Sequence, residues 1–364
     1  MIHILKGYYK KYERLVPIIF FVAGFIFDAL MLRRVDEWLT IMQQLVYILI
    51  SAWLIKIEII ESTEGHRGPN FPAWISRVWQ YREALLHFLM GTLLNAYTIF
   101  FFKSASAISS FIFIFILVGL LMLNEFGRFG KSQTQVHLGL LSLCLVSYLS
   151  TISPIAFGFI GLLPFLTADA AAILLFLLYL WILKRGLGVH YLSLRTKIAA
   201  PFTGILSLFT ILYFAHAIPP VPLSVQYMGI YHDIKKTGSD YILSWNRPRF
   251  RFWEHGDQTF YRKPGDEVYG FVRIFSPARF HDQMQVRWLF HDPRHGWVNR
   301  DLVALPILGG REEGYRGYTK KANFEVGVWR IQVETLSGQE VGRIGFEVID
   351  DDGSEQRQLQ TTID

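Results

Sequence analysis

The sequence predicts an α-helical polytopic membrane bundle of about seven spans, followed by an all-β sandwich domain of immunoglobulin-like type. Three observations carry this. The 364 residues are 52% hydrophobic and 18% charged, with a mean hydropathy of +0.29. That is too apolar for a soluble protein and too charged for a chain that lies wholly in lipid. Residues 1–218 are apolar runs separated by short charged loops, whereas from Ser224 the hydrophobic period becomes two. The charge divides at the same place: residues 1–218 hold 17 Lys+Arg and 10 Asp+Glu, residues 219–364 hold 19 and 20. The basic excess of +6 therefore belongs to the membrane half and does not indicate nucleic-acid binding. The expected domains are a bundle over 1–218, a β domain over 219–350 and a polar tail over 351–364.

The apolar runs are Leu15–Leu32, Trp38–Ile60, Ala84–Phe102, Ala107–Leu123, Val136–Ile152, Leu166–Leu183 and Ala199–Ile218. Each is long enough for a helix to cross a hydrocarbon core of about 30 Å. Arg33 and Arg34 follow the first run, which lacks a small-x-small cleavage site and reads as a retained span. Pro219, Pro220 and Pro222 are expected to end the last helix, since proline lacks an N–H and clashes with the preceding turn. The stretch Pro154–Pro164, with Gly158 and Gly161 between the prolines, reads as a re-entrant piece, a bent extension of the fifth span or an eighth crossing.

Lys and Arg concentrate at the N-terminus and in alternate loops: Lys6, Lys10, Lys11 and Arg14; Arg67, Arg77 and Arg82; Arg128 and Lys131; Lys184, Arg185, Arg195 and Lys197. The positive-inside rule then sets the N-terminus in the cytoplasm, and seven crossings place the β domain outside. Between the second and third spans, Trp74, Ile75, Val78 and Trp79 share one helical face, which suits a helix lying in the headgroup layer or an aromatic belt.

Ionisable groups at membrane depth are costly and are functional candidates by default. Here they are Asp28, with Arg34 and Asp36 after it, His87 and Asp169. Each has a structural alternative. Asp28 can pair with Arg33 or Arg34 near the end of its span. Asp169 can cap a helix that packs closely through Ala168 and Ala170 to Ala172. Gln43, Gln44 and Asn95 can join helices through hydrogen bonds. Gly127 to Ser132 resembles the end of a phosphate loop, but Glu125 stands where the motif needs glycine and no strand precedes it.

In the soluble half, Val268, Gly270, Val272 and Ile274 alternate with polar or aromatic neighbours. So do Met284, Val286, Trp288 and Phe290. Trp329, Ile331 and Val333 oppose Val328, Arg330 and Gln332. Strict alternation broken by Gly and Pro means half-buried strands, and closely spaced strands without helices between them suggest two packed sheets. The residues from Asp350 onward are polar and are expected to fray. The single cysteine, Cys144, lies in an apolar run, so the β domain has no disulfide.

Catalytic signals are faint. There is no G-x-S-x-G elbow. His232-Asp233, His281-Asp282 and His291-Asp292 invite a metal reading, yet at strand ends a His-Asp pair more often makes a turn in which Asp bonds its own backbone. No metal or cofactor is therefore expected, and an enzyme ranks third, behind binding and transport. Aromatic and arginine residues are richer in meaning. Trp288 and Trp329 fall on the apolar side of their strands and read as core. Trp253 and Trp297, in loops with Arg251 and Arg294, read as a ligand-binding surface, because Trp and Arg carry binding energy in many interfaces.

The run Gly327-Val328-Trp329-Arg330-Ile331-Gln332-Val333, then Gly338, then Phe346-Glu347-Val348, with Arg287-Trp288 upstream, resembles the closing signature of the bacterial domain of unknown function 2914. Gly24-Phe25 with Asp28, then Arg34 and Asp36, is similar to the membrane half that often accompanies that domain. The resemblance implies a bacterial envelope protein and supplies no catalytic residues. The expected role is binding of a protein partner, an envelope polymer or a lipid headgroup by the periplasmic domain. The alternative is a transporter or lipid-handling protein with its site around Asp28 and Asp169.

Overall fold

The computed structural model describes residues 35–64, 82–106, 111–119, 133–248, 250–251, 253–277, 280–308, 314–351 and 357–364. The first expected span, Leu15–Leu32, and the helix around Trp74 lie outside them, and the fourth span is described only over 111–119, which is helical. Five long helices are described: α1 (Trp38–Glu64), α2 (Arg82–Lys103), α3 (Gln133–Phe157), α4 (Leu162–Leu187) and α5 (Tyr191–Phe214). Four of them, α2 to α5, have the length and apolarity to cross a membrane.

The helix ends differ from expectation at two places, each for a local reason. Pro154 sits inside α3, whose end is closed at Gly158, with φ 78° and an N–H donated to the Pro154 carbonyl at 2.8 Å. Residues 158–161 form a turn and α4 begins at Leu162, with the Ser153 hydroxyl bonded across the turn to the Pro164 carbonyl at 2.6 Å. Pro154–Pro164 is thus a helix end, a turn and a helix start. The last helix stops at Phe214, before any of the prolines. His216 takes φ 53°, its N–H reaches the Tyr213 carbonyl at 2.9 Å, and the Ala217 N–H reaches the Leu212 carbonyl at 2.9 Å. This is the Schellman arrangement, with His216 at the position glycine usually holds.

The described residues fall into two compact units, one drawn from Met1–Phe100, Ile116–Tyr148 and Leu178–Ile205, the other from Phe101–Phe115, Leu149–Leu177 and Leu206–Asp364. In the first, Tyr97 and Cys144 are fully buried, and the Tyr179 hydroxyl donates to the Ala52 carbonyl at 3.2 Å. In the second, Phe113 packs edge-on against Phe101 and Phe209, and Phe165 stacks on Tyr213 at 3.7 Å.

Among the described residues, the β part of the second unit shows eleven strands in three sheets. A five-stranded sheet runs β4 (Thr259–Arg262), β10 (Glu340–Asp350), β9 (Gly327–Thr335), β6 (His281–Asp292), β7 (Gly296–Leu308). It shares a core with the sheet β1 (Ser224–Tyr231), β5 (Val268–Phe275), β8 (Tyr315–Lys321). Ile230, Val272 and Ile274 from one sheet meet Val286, Trp288, Trp329, Ile331 and Phe346 from the other. The reading of Trp288 and Trp329 as core holds: both are buried.

A third sheet was not expected. Strands β11 (Gln360–Ile363), β3 (Asp240–Trp245) and β2 (Asp233–Thr237) form it, with a second core of Tyr231, Ile234, Tyr241, Leu243 and Phe271. Strand β5 is therefore covered on both faces, Val272 and Ile274 on one and Phe271 on the other. The fraying expected at the C-terminal end does not occur at Gln360–Ile363, which pair antiparallel with Ile242–Trp245. The Asp364 carboxylate meets Arg273 at 2.8 Å.

Candidate functional site

The outer face of the five-stranded sheet is built by alternation. Because Trp329 and Ile331 point into the core, Val328, Arg330 and Gln332 point away from it. Register then sets their neighbours. Arg330 lies opposite Leu289 on one side and Gly345 on the other, and His291 pairs with Trp297. The Arg330 guanidinium stacks on the Trp297 ring at 3.9 Å, and His291 meets the same ring edge-on at 5.0 Å. Trp297 keeps 38% of its surface exposed, and Leu302 and Val328 are exposed apolar residues. A Cβ added at Gly345 would meet only the Trp329 carbonyl oxygen at 3.8 Å, so the sheet is indented beside Arg330.

The electrostatics favour anions without a large net field. Arg287 is committed to the buried carboxylate of Glu334, its Nε at 2.9 Å. Arg343 is held by Glu340 at 2.5 Å. Burial, then the charge of Arg343, draws the Arg330 guanidinium below its usual pKa, so a bound carboxylate or phosphate would relieve it. An aromatic ring with a guanidinium beside it suits a ligand with apolar CH faces and anionic groups, as in an acidic polysaccharide.

The four expected binding residues divide between two places. Trp297 and Arg294 belong to the β6–β7 hairpin, where Arg294 is exposed at the turn and its N–H donates to Asp292 at 2.7 Å. Trp253 and Arg251 lie in the loop before β4, the opposite edge of the sheet. Four strand spacings separate the edges, about 19 Å. Arg251 serves its own loop: its side chain reaches Glu254 and Thr259, both at 3.4 Å. Arg330 and His291 complete the aromatic cluster; the opposition of Arg330 to Trp329 was legible in the alternation, whereas its contact with Trp297 depends on register.

Of the membrane-polar candidates, Asp28 and Arg34 lie outside the described residues. Asp36 stands in the turn before α1. Asp169 on α4 accepts a hydrogen bond from Thr210 on α5 at 3.3 Å. His87 on α2 meets His137 on α3 edge-on at 5.4 Å. His137, 2% exposed, bonds through Nδ1 to Glu58 on α1 at 2.9 Å, and Thr134 donates to the same carboxylate at 2.6 Å. A lone Glu inside the second apolar run was the available signal for this pair. The Asp292 side chain accepts the N–H groups of Arg294 and His295, the turn chemistry expected there. His232 faces Asp257 at 3.5 Å, while Asp233 turns to Lys235. The side chains of His281 and Asp282 are outside the described residues. Among the described residues no group of three or more His, Cys, Asp or Glu could hold a metal ion.

Residues 281–348 match the family model described as a protein of unknown function, DUF2914. That segment runs from the start of β6 into β10 and contains the whole Trp297–Arg330 face. No curated protein matches the chain. Among solved structures, an immunoglobulin-like protein from Pseudomonas aeruginosa is 9% identical, covering 35% of this chain and 98% of its own, with a TM-score of 0.22. An alkylpurine DNA glycosylase from Pseudomonas fluorescens, bound to DNA containing an abasic site analogue, is 8% identical, covering 87% of this chain and 100% of its own, with a TM-score of 0.20.

Proposed function

We propose that the chain is a multi-pass bacterial inner-membrane protein whose periplasmic β domain binds an anionic, sugar-containing envelope polymer through the outer face of its five-stranded sheet. The carrying observation is the exposed Trp297 ring stacked by Arg330 and edged by His291, beside the indentation at Gly345. Membrane insertion is supported by the helices themselves. Helices α4 and α5 turn Leu174, Leu177, Trp181, Ile211 and Phe214 outward, an apolar surface that needs lipid or protein to cover it. The orientation follows from the distribution of Lys and Arg.

Co-sedimentation of the detergent-solubilised full chain with purified peptidoglycan sacculi tests the reading. The wild type is expected to co-sediment. Trp297→Ala and Arg330→Gln are each expected to weaken binding at least about tenfold, the scale of an interface anchor. Asp169→Asn, the change that a bundle-centred transporter would not tolerate, is expected to bind normally. Undiminished binding by Trp297→Ala would reject this face. Wild type that fails to sediment but retains a protein partner on crosslinking at position 297 would move the assignment to protein recognition.

A further inference from the structure

A second site adjoins the Trp297 face and shares Gly345 with it. Within the unit that holds the β domain, a cleft of about 480 Å³ is lined by Lys103 and Phe111 on one side and by strands β1 and β10 and the loop before β4 on the other. Lys103 is the last residue of α2, whose apolar stretch Leu85–Lys103 is long enough to cross a membrane. A cation at the end of such a helix sits where lipid phosphates lie. Arg343 of β10 supplies a second cation, and no carboxylate is among the lining residues. Glu340 stands next to the cleft, bonded by Arg343 at 2.5 Å and by the Ser106 hydroxyl at 2.9 Å, so the Arg343–Glu340 pair is close to neutral, Arg343 offers its remaining N–H donors, and Lys103 carries the net positive charge of the lining. His255, edge-on to Tyr227 at 5.0 Å, adds a ring nitrogen, while exposed Phe111 and the lining residue Val225 add apolar walls.

We infer that this cleft binds the phosphate headgroup of an anionic phospholipid from the adjacent leaflet, with Lys103 and Arg343 on the phosphate and Phe111 against the glycerol and upper acyl chain. Three observations favour a lipid over other anions: Lys103 with the guanidinium donors of Arg343 beside it, the end of an apolar helix at the rim, and a mixed polar and apolar lining. The volume fits a headgroup, not a polymer. The site does not rest on the polymer-binding reading: the two share Gly345, but Trp297, Arg330 and His291 do not line the cleft.

The test uses the full-length protein in a mild detergent, titrated with phosphatidylglycerol or phosphatidylcholine, bound lipid being counted by native mass spectrometry. Phosphatidylglycerol is expected to bind about tenfold more tightly than phosphatidylcholine, and Lys103→Gln is expected to remove roughly fivefold of that preference, the scale for one cation at a lipid surface. Lys103 is exposed at a helix end, so this variant decides the matter even if Arg343→Gln melts early and is set aside. Lys320→Gln, which removes a surface cation paired with Glu267, and Trp297→Ala are expected to leave the preference unchanged. Equal binding of the two lipids, an unaffected Lys103→Gln, or equal loss in Lys320→Gln or Trp297→Ala would each overturn the proposal. So would displacement of the lipid by millimolar inorganic phosphate, which would make the occupant a free anion.

Discussion

At the scale of residues, the pair His232–Asp257 shows how burial decides charge. Both side chains are buried, 3.5 Å apart, with the His232 ring tilted over Phe260 at 4.1 Å. Desolvation raises Asp257 to about 7, against bonds from the backbone N–H groups of Asn246 and Arg247 that pull the other way. Desolvation lowers His232 to about 4. Attraction between opposite charges would move both the other way, so burial wins and the pair is a neutral one. The signs then follow. Between pH 4 and 6.5 the unfolded chain holds a protonated histidine and an ionised aspartate, the folded chain a neutral histidine and a protonated aspartate. The proton counts match, and the pair adds no slope to stability. Single substitutions unmask it. Asp257→Asn leaves a depressed histidine, so stability is expected to fall as pH drops from 6.5 towards 4. His232→Gln leaves a raised aspartate, so stability is expected to fall as pH rises from about 4 towards 7. Each slope is about 1.4 kcal/mol per pH unit, readable from urea melts of the full chain followed by tryptophan fluorescence. Parallel slopes in the two variants would refute the neutral-pair account.

Gly256, one residue before Asp257, belongs to the same device. It bridges Ile230 with φ 70°, and a Cβ there would lie 1.9 Å from the Ile230 carbonyl oxygen. Backbone blocks the space, so a side chain cannot turn away. Gly256→Ala is expected to cost more than about 3 kcal/mol and to loosen the loop carrying Arg251 and Trp253. Faster amide exchange over residues 246–258 would report this; unchanged exchange and stability would show that the bridge is dispensable.

Among elements, the C-terminal strand is the instructive case. Strand β11 looks like a polar tail because no residue in Gln360–Ile363 except Ile363 is strongly apolar. It is held by partners distant in sequence. The backbone of β3 pairs with it, Trp245 Nε1 donates to Thr362 at 2.9 Å, and Arg273 and Arg316 reach the Asp364 carboxylate. Just upstream, Arg357 bonds Asp266 at 2.8 Å. Deleting 357–364 is expected to destabilise the third sheet by roughly 2–4 kcal/mol, since β3 loses a ladder and two arginines lose a carboxylate. Protease sensitivity at the β2–β3 turn would rise. A deletion with wild-type resistance would mean that β2 and β3 stand without it. The helix ends carry the same lesson: Pro219 and Pro220 are strong stop signals, yet the chain had already closed α5 through backbone bonds at His216.

For the molecule as a whole, the prediction is topological. Ser239 is exposed in the turn between β2 and β3. In a Cys144→Ala background, Ser239→Cys is expected to react with a membrane-impermeant maleimide in intact cells if, as proposed, seven crossings from a cytoplasmic N-terminus leave the β domain outside. Reaction only after lysis would reverse the orientation, reject the envelope polymer as ligand and make the leaflet beside the Lys103 cleft the cytoplasmic one.

Composition, charge asymmetry and period were enough to divide the chain into a helical half and a β half, and to assign Trp288 and Trp329 to a core. Those properties are local or additive: a span depends on the length of an apolar run, and a half-buried strand on alternation along itself. The resemblance carried by Arg287-Trp288 and Gly327 to Val333 was likewise contained in contiguous residues. The clustered residues were not. Arg330 on Trp297, His137 on Glu58, and Lys103 in one cleft with Arg343 join residues 33 to 240 positions apart. Nothing in the spacing of such pairs specifies their meeting, because strand register and helix packing set it, and both are decided only when the buried faces of separate elements close on one another.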